Sequence, residues 1–328
     1  MNARLPRRHA GRMCALAALL IACAVPSALA WGRLGHEAIG TLATDLLNEK
    51  ARLRIKKILG TDELAAAAMW LDELRSAEKG KGALAKDAEA AAFNKKYADN
   101  PKWHFVNLPL NSATYSRGSR FAEDNDVVHT LDAAIAVLEG RSRKFTPAQA
   151  VRIVAHLVGD LHQPLHVGTG FFDLRNPDAP KLVIDPANTN NRAEDLGGNK
   201  IQVGRMAFDT LHAYWDTQLV EAAAGTGNAA KLAGRMRGAL QPAKWATPGD
   251  HRAWAEAWAT DSVHEAEFAY RGLIYKGARL TERKSLTVIE AELPPDYERI
   301  QKQRALVQLA KAAFHLAELF NAIDWKVP

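Results

Sequence analysis

Apolar residues return every three or four positions through about 36–59, 62–78, 125–139, 147–161, 204–223, 249–272 and 297–321. That is the period of a helix with one buried face. No segment shows the sustained two-residue alternation of a half-buried strand. Two start signals agree with the period: Thr146 before Pro147 makes an N-cap and first-turn pair, and Thr61, Asp62 and Glu63 open another helix. The expected fold class is therefore all-α, a helical bundle with long connections. Three connections stand out, at 100–120, 168–199 and 241–249, each rich in turn-forming residues. Loops of such length are functional or mobile. There is no internal repeat, and the alanine-rich stretch at 65–92 reads as helix propensity rather than low complexity.

The first thirty residues do not belong to that pattern. Arg4, Arg7, Arg8 and Arg12 precede an apolar run at 13–25, and Ala28, Leu29 and Ala30 form an A-x-A cleavage site. This is the layout of a signal peptide, so the expected division is a cleaved peptide at 1–30 and one domain at 31–328. The run is too short to span a bilayer, so the expectation is an exported, periplasmic or secreted protein with no stable membrane association. A lipoprotein box ending at Cys23 and a weak twin-arginine pair at Arg7 and Arg8 are minor alternatives.

Cleavage changes the electrostatics. The whole chain carries +6, and the peptide holds four of its 43 basic residues and none of its 37 acidic ones, which leaves about +2. A protein that gripped polynucleotide by phosphate neutralisation would be far more basic. Cys14 and Cys23 both leave with the peptide, so the mature chain forms no disulfide.

The strongest chemical signal is AHLVGDLHQPLHVG, where His156 and Asp160 stand four apart on an expected helix and His166 follows just beyond Pro164. An i, i+4 spacing stacks an imidazole and a carboxylate on one face, where both can reach one ion. LHAYWD repeats the spacing with His212 and Asp216. One such pair is an ordinary helical hydrogen bond; two, with a further histidine, point to metal. Trp31 and His36 in WGRLGH, Asp72 in WLDELR and His104 in WHFVNLP are further candidates, each with an ordinary structural reading when taken alone. His162, His129, His251, His264 and His315 are left out of the metal site. Trp245, Trp254 and Trp258 are expected to fill the core, and the basic cluster at 141–144 to be a solvated turn.

In this order WGRLGH, WLDELR, WHFVNLP, HLVGDLHQPLHVG, DLGGN and LHAYWD resemble the single-strand-specific nucleases of fungi and plants, a family with bacterial members. The resemblance implies a single mostly helical domain around three Zn²⁺ ions. One ion would be held by Asp72, His104, His156 and Asp160. A second would be held by His166, His212 and Asp216, and a third by the terminal amine and carbonyl of Trp31, by His36 and by a bridging Asp160. It implies Asp72 and Arg75 as catalytic residues, and Phe105, Asn107 and Asn199 as contacts to the base. Asn107 stands where the fungal pattern has an acid, and the segment after His166 is longer than in that pattern.

The expected activity is hydrolysis of single-stranded DNA, RNA and 3′-nucleotides at the bond to the 3′ oxygen, leaving 5′-phosphates, with no protein partner implied. Imidazole and carboxylate suit zinc, and an ion with three protein ligands keeps a position open for catalysis. The rivals are a zinc-dependent phospholipase C, which shares the fold but has glutamate where this chain has Asp216, and a non-enzymatic zinc-binding protein.

Overall fold

The computed structural model describes residues 31–183, 192–206, 209–280 and 287–327. The leader readings, Cys23 included, and part of the 168–199 connection lie outside the described residues. Six helices make up the first half: α1 (Gly32–Leu46), α2 (Glu49–Leu59), α3 (Ala65–Glu78), α4 (Ala88–Lys96), α5 (Val127–Leu138) and α6 (Pro147–Leu161). A short α7 (Pro164–Val167) follows, and then α8 (Leu211–Ala213), α9 (Leu219–Ala224), α10 (Ala229–Ala239), α11 (Pro242–Trp245), α12 (Trp254–Tyr270) and α13 (Tyr297–Ala322). The bundle is mostly helical, as the periodicity predicts.

α6 is the central element. From Ile153 to Leu161 every residue is buried, and α1, α3, α5, α12 and α13 all pack against it. A helix buried all round must enclose its polar side chains too, which is why His156 and Asp160 have no solvent exposure. Thr146 starts it with a capping box: its hydroxyl accepts from Gln149 N–H while the Gln149 side chain accepts from Thr146 N–H.

The helices depart from the sequence expectation in four places. The segment at 36–59 is two helices, because Asn48 stops the first and caps the second by accepting from Ala51 N–H at 2.8 Å. The helix expected from Thr61 begins only at Ala65, where Leu64 N–H donates to the Thr44 hydroxyl of α1. The alanine-rich stretch read as helix breaks after Glu78 and resumes as α4, and α10 was not expected; Asp87 and Asn228 cap these two. Finally, the helix expected over 204–223 begins at Leu211 and runs through a π-helical turn, Tyr214–Gln218.

Strands are few and small. β1 (Leu108–Pro109) pairs in parallel with β2 (Gly168–Thr169), and β3 (Phe171–Asp173) lies between β4 (Lys181–Val183) and β5 (Ala193–Glu194). β6 (Ile201–Gln202) pairs with β8 (Thr287–Glu292), itself the antiparallel partner of β7 (Ile274–Leu280). This last hairpin was not expected. β8 does alternate, with Ile289 and Ala291 buried and Glu290 and Glu292 exposed, but the run is six residues long. β6 and β8 together pin the chain on the far side of the DLGGN segment.

Among the described residues no helix is long and apolar enough to cross a membrane. The expected core tryptophans Trp245, Trp254 and Trp258 are buried.

The close crossing of α1 on α3 is tested by Gly40→Ala. A Cβ there would lie 2.7 Å from the Ala65 backbone and from the Leu64 carbonyl carbon. Overpacking costs about 1–3 kcal/mol, against roughly 0.5–1 kcal/mol gained in helix propensity. The variant should melt at a lower temperature than the wild type; a higher one would mean that the two helices can slide apart freely.

Candidate metal centre

Asp160 is the hub. Its Oδ2 lies 2.8 Å from His104 Nδ1 and 3.1 Å from His156 Nε2, and its Oδ1 lies 3.2 Å from His36 Nε2. His156 Nε2 is also 4.0 Å from Asp72 Oδ1, and Arg75 Nη1 lies 3.7 Å from that same oxygen. His36 comes from α1, Asp72 and Arg75 from α3, His104 from the loop before β1, and His156 and Asp160 from α6. The crossing of α1 and α3 over α6 is what gathers them. His36 stacks on His156 at 4.1 Å, and Gly159 makes room for it, since a Cβ there would sit 2.9 Å from His36 Cε1.

A second group stands beside the first. His166 Nε2 is 3.2 Å from His212 Nε2, and His212 Nε2 is 3.4 Å from Asp216 Oδ2. Trp31, fully buried, donates its indole N–H to the Gly159 carbonyl at 2.9 Å, and its main-chain N–H faces the Asp216 carboxylate. The structure thus brings all nine expected ligands into one buried region. Three subsets are close enough to share an ion, with donor atoms within 4.8 Å of one another: His36, Asp72 and His156; His104, His156 and Asp160; and His166, His212 and Asp216.

The donor atoms are arranged for metal rather than for one another. His156 donates Nδ1–H to the Ala68 carbonyl at 2.6 Å, His166 to the His104 carbonyl at 2.7 Å, and His212 to the Gly197 carbonyl at 2.7 Å. Each bond fixes the tautomer and turns the Nε2 lone pair inward. His156 Nε2 then faces His104 Nδ1 at only 3.0 Å. Meanwhile both ring nitrogens of His36, His104 Nε2, Asp72 Oδ1, Asp160 Oδ1 and Asp216 Oδ2 are buried without a hydrogen-bond partner. Buried polar groups are rarely left so, because each costs roughly 1–3 kcal/mol. Divalent cations among them would satisfy the set.

Burial pushes the His104 and His212 pKa values down to about 4 and that of His166 to about 3. Burial also pulls on His156, but the Asp160 carboxylate overcomes it and raises the imidazole. Burial works to raise Asp160, yet His156, His104 and His36 hold it well below the usual carboxylate range. Asp216, with fewer positive neighbours, is driven up by burial.

Two residues that hold this arrangement had no role assigned from the sequence. Gln163 donates Nε2–H to Asp216 Oδ1 at 2.7 Å and accepts from Leu165 N–H, which links the second group to α7. Asp195 is buried, and its Oδ1 accepts from Thr169 Oγ1, Gly170 N–H, Gly198 N–H and Tyr270 Oη. It thereby fixes the Gly197 turn that orients His212, and burial raises its carboxyl to about 6. Gly197 has φ +60°, and a Cβ there would lie 2.1 Å from the Leu165 carbonyl oxygen. The signal was available: Gln163 lies inside HQPLH and Asp195 opens DLGGN.

Of the expected base contacts, Phe105 is 37 % exposed and lines, with Asn107, a cavity of about 190 Å³ that also includes Glu194. Asn199 is exposed, with its amide on the Leu196 carbonyl at 2.9 Å. The excluded histidines are engaged elsewhere: His162 with His315, His129 with Asp126, His251 with Glu139 and His264 with the Ala113 carbonyl.

A mostly helical fold built around clustered, buried His and Asp donors is that of a metal-binding protein. The family model for S1/P1 nuclease matches residues 31–324, and the chain belongs to that family. It is 28 % identical to Endonuclease 3 of Arabidopsis thaliana over 66 % of this chain and 63 % of that one. It is 25 % identical to Endonuclease 2 of the same plant over 92 % of each. Nuclease S1 of Aspergillus oryzae is 27 % identical over 60 % of this chain and 56 % of its own length. Most of these alignments thus take in about three fifths of the relative.

The low imidazole values give a sign for acid stability. The folded-state pKa values of His104, His166 and His212 lie below the unfolded value of about 6.5. Their contribution to stability is therefore present above about 6.5 and is lost as pH falls through about 4 toward 3. Chelator-treated protein should lose stability steadily over that window in denaturant titrations. It should also melt below the metal-loaded form at pH 7.5, because bound metal adds to folding free energy. A melting temperature indifferent to chelator would exclude a metal centre here.

Proposed function

We propose that this chain is an exported zinc-dependent nuclease and 3′-nucleotidase. It hydrolyses single-stranded DNA and RNA and 3′-nucleotides, breaks the bond to the 3′ oxygen and leaves 5′-phosphates. The observation that carries the reading is the set of unpartnered buried donors around Asp160 and Asp216, adjoining an aromatic cavity. Membership of the S1/P1 family and relatives named as nucleases support it. Residues 1–30 are read as a cleaved signal peptide and 31–328 as one domain.

Three Zn²⁺ ions would be held by Asp72, His104, His156 and Asp160; by His166, His212 and Asp216; and by Trp31, His36 and Asp160. Bound zinc supplies a Lewis acid for the phosphate and lowers the pKa of water toward 7. Asp72 accepts and orients the proton of the attacking water. Arg75, one turn along α3 and mostly buried, presents planar donors to the phosphate oxygens as charge builds. Phe105 stacks on a base that has left its neighbours, worth about 1–3 kcal/mol per base, and Asn107 and Asn199 are the candidate polar contacts. A paired base would have to unpair before it could reach this cavity, which gives the preference for single strands. Stacking also replaces the strong basic field that the mature chain lacks.

Trp31 makes the export reading and the metal reading one claim. An internal Trp31 offers an amide nitrogen with no free lone pair, whereas cleavage after Ala30 frees an amine of pKa about 7.7–8.0 that a nearby cation can deprotonate.

Two measurements test this function. Purified processed protein should cleave single-stranded DNA, RNA and 3′-AMP, lose all three activities to chelator, and leave phosphatidylcholine intact; activity on the lipid alone would overturn the assignment. A form with one alanine ahead of Trp31 should fold but hold fewer zinc ions by elemental analysis and lose most activity. Full zinc and full turnover in that form would remove the terminal amine from the site.

A further inference from the structure

The cavity beside Phe105 carries more information than its aromatic wall. Its floor is the segment from Phe105 to Asn107, which the Val106 N–H ties to the His166 carbonyl at 2.8 Å, so it adjoins the second ligand group. On another wall, Phe121 meets Phe171 edge-on at 6.1 Å. Most of the polar side chains that line it are already committed. Asp126 accepts from Tyr115 Oη and His129 N–H, Asn125 donates to Asp99, and Lys102 pairs with Glu123 at 2.9 Å. Glu194 adds a carboxylate to that lining. Its main chain is fixed on β5, in register with Phe171, and its carbonyl accepts from Lys200 Nζ at 2.8 Å. Its carboxylate lines the cavity, where the Asn107 and Thr169 side chains donate to it and hold it in place.

We propose that Glu194 is a specificity-determining residue for the base, and that this cavity selects guanine by setting the N1–H and N2–H donors against the Glu194 carboxylate. The inference rests on the nuclease reading above. A carboxylate offers two acceptor oxygens side by side and no donor. Of the four bases only guanine places two donors next to each other on its pairing edge; adenine and cytosine each put an unprotonated ring nitrogen beside the amino group, which a carboxylate repels. Asn107 gives one amide N–H to Glu194 and has a second that can reach the guanine O6. Burial pushes the Glu194 carboxyl up, while the Lys200 ammonium and the Asn107 amide pull it back. With two donors already orienting it, a carboxylate keeps lone pairs for two more. A rigid strand beneath it keeps the carboxylate in place.

The test measures binding and turnover separately on the full processed, metal-loaded chain. Calorimetry with the product nucleotides should show 5′-GMP bound about tenfold more tightly than 5′-AMP by the wild type, the discrimination expected of one bidentate contact. In Glu194→Gln and Glu194→Ala the ratio should fall to within about twofold, and kcat/KM for 3′-GMP over 3′-AMP should fall with it. Equal binding of the two nucleotides by wild type, or a guanine preference that survives both substitutions, overturns the proposal. Should either variant melt early, the wild-type ratio alone decides. Wild type that hydrolyses no single strand and no 3′-nucleotide overturns the nuclease reading instead, so the two failures are told apart.

Discussion

The structure depends on keeping the Asp160 carboxylate, which has no solvent exposure, at the middle of the bundle. An isolated buried carboxylate is strongly disfavoured, so positive charge must be brought to it. Hydrogen bonds and charge from three imidazoles, on α1, on α6 and on the loop before β1, do part of this. Asp72 and Asp216, also buried, add further negative charge that the histidines cannot balance, most of them being held neutral by burial. Divalent cations would complete the charge balance. Cations in excess of the three carboxylates would leave positive charge there to attract a phosphate.

Around the donors lies a layer of backbone carbonyls that decides which nitrogen faces inward. The carbonyls of Ala68, His104 and Gly197 each take one Nδ1–H. Segments that look like connections are therefore structural parts of the centre. The DLGGN segment holds His212 through Gly197 and is itself locked by Asp195, while Gln163 ties Asp216 to the turn before α7. The π-helical turn at Tyr214–Gln218 carries Asp216, and such irregularities often accompany function.

Much of this was legible in the sequence. The helix at 147–161 was read to the residue, because Thr146 and Pro147 mark its start and its apolar period is strong. The nine candidate ligands came from recurring His and Asp spacing and from the order of short motifs, and the structure gathers them. The hidden features had weak local signals. α4 and α10 are short, and α4 sits in an alanine-rich stretch where period is hard to see. The β7 and β8 hairpin needs partners distant in sequence, since β8 also pairs with β6. Gln163 and Asp195 act through other residues, so only their place in HQPLH and DLGGN, and not their type, hints at a role. Nor could spacing show that Glu194, after a long connection, returns to the same cavity as Asn107.

The central claim is that one buried, Asp160-centred site holds several zinc ions at once. Anomalous diffraction from crystals of the processed protein, collected on both sides of the zinc absorption edge, tests it most directly. Three zinc peaks among His36, Asp160 and Asp216, with the Trp31 amine beside one of them, are the predicted result. A single peak outside that group, or none at the edge, would contradict it.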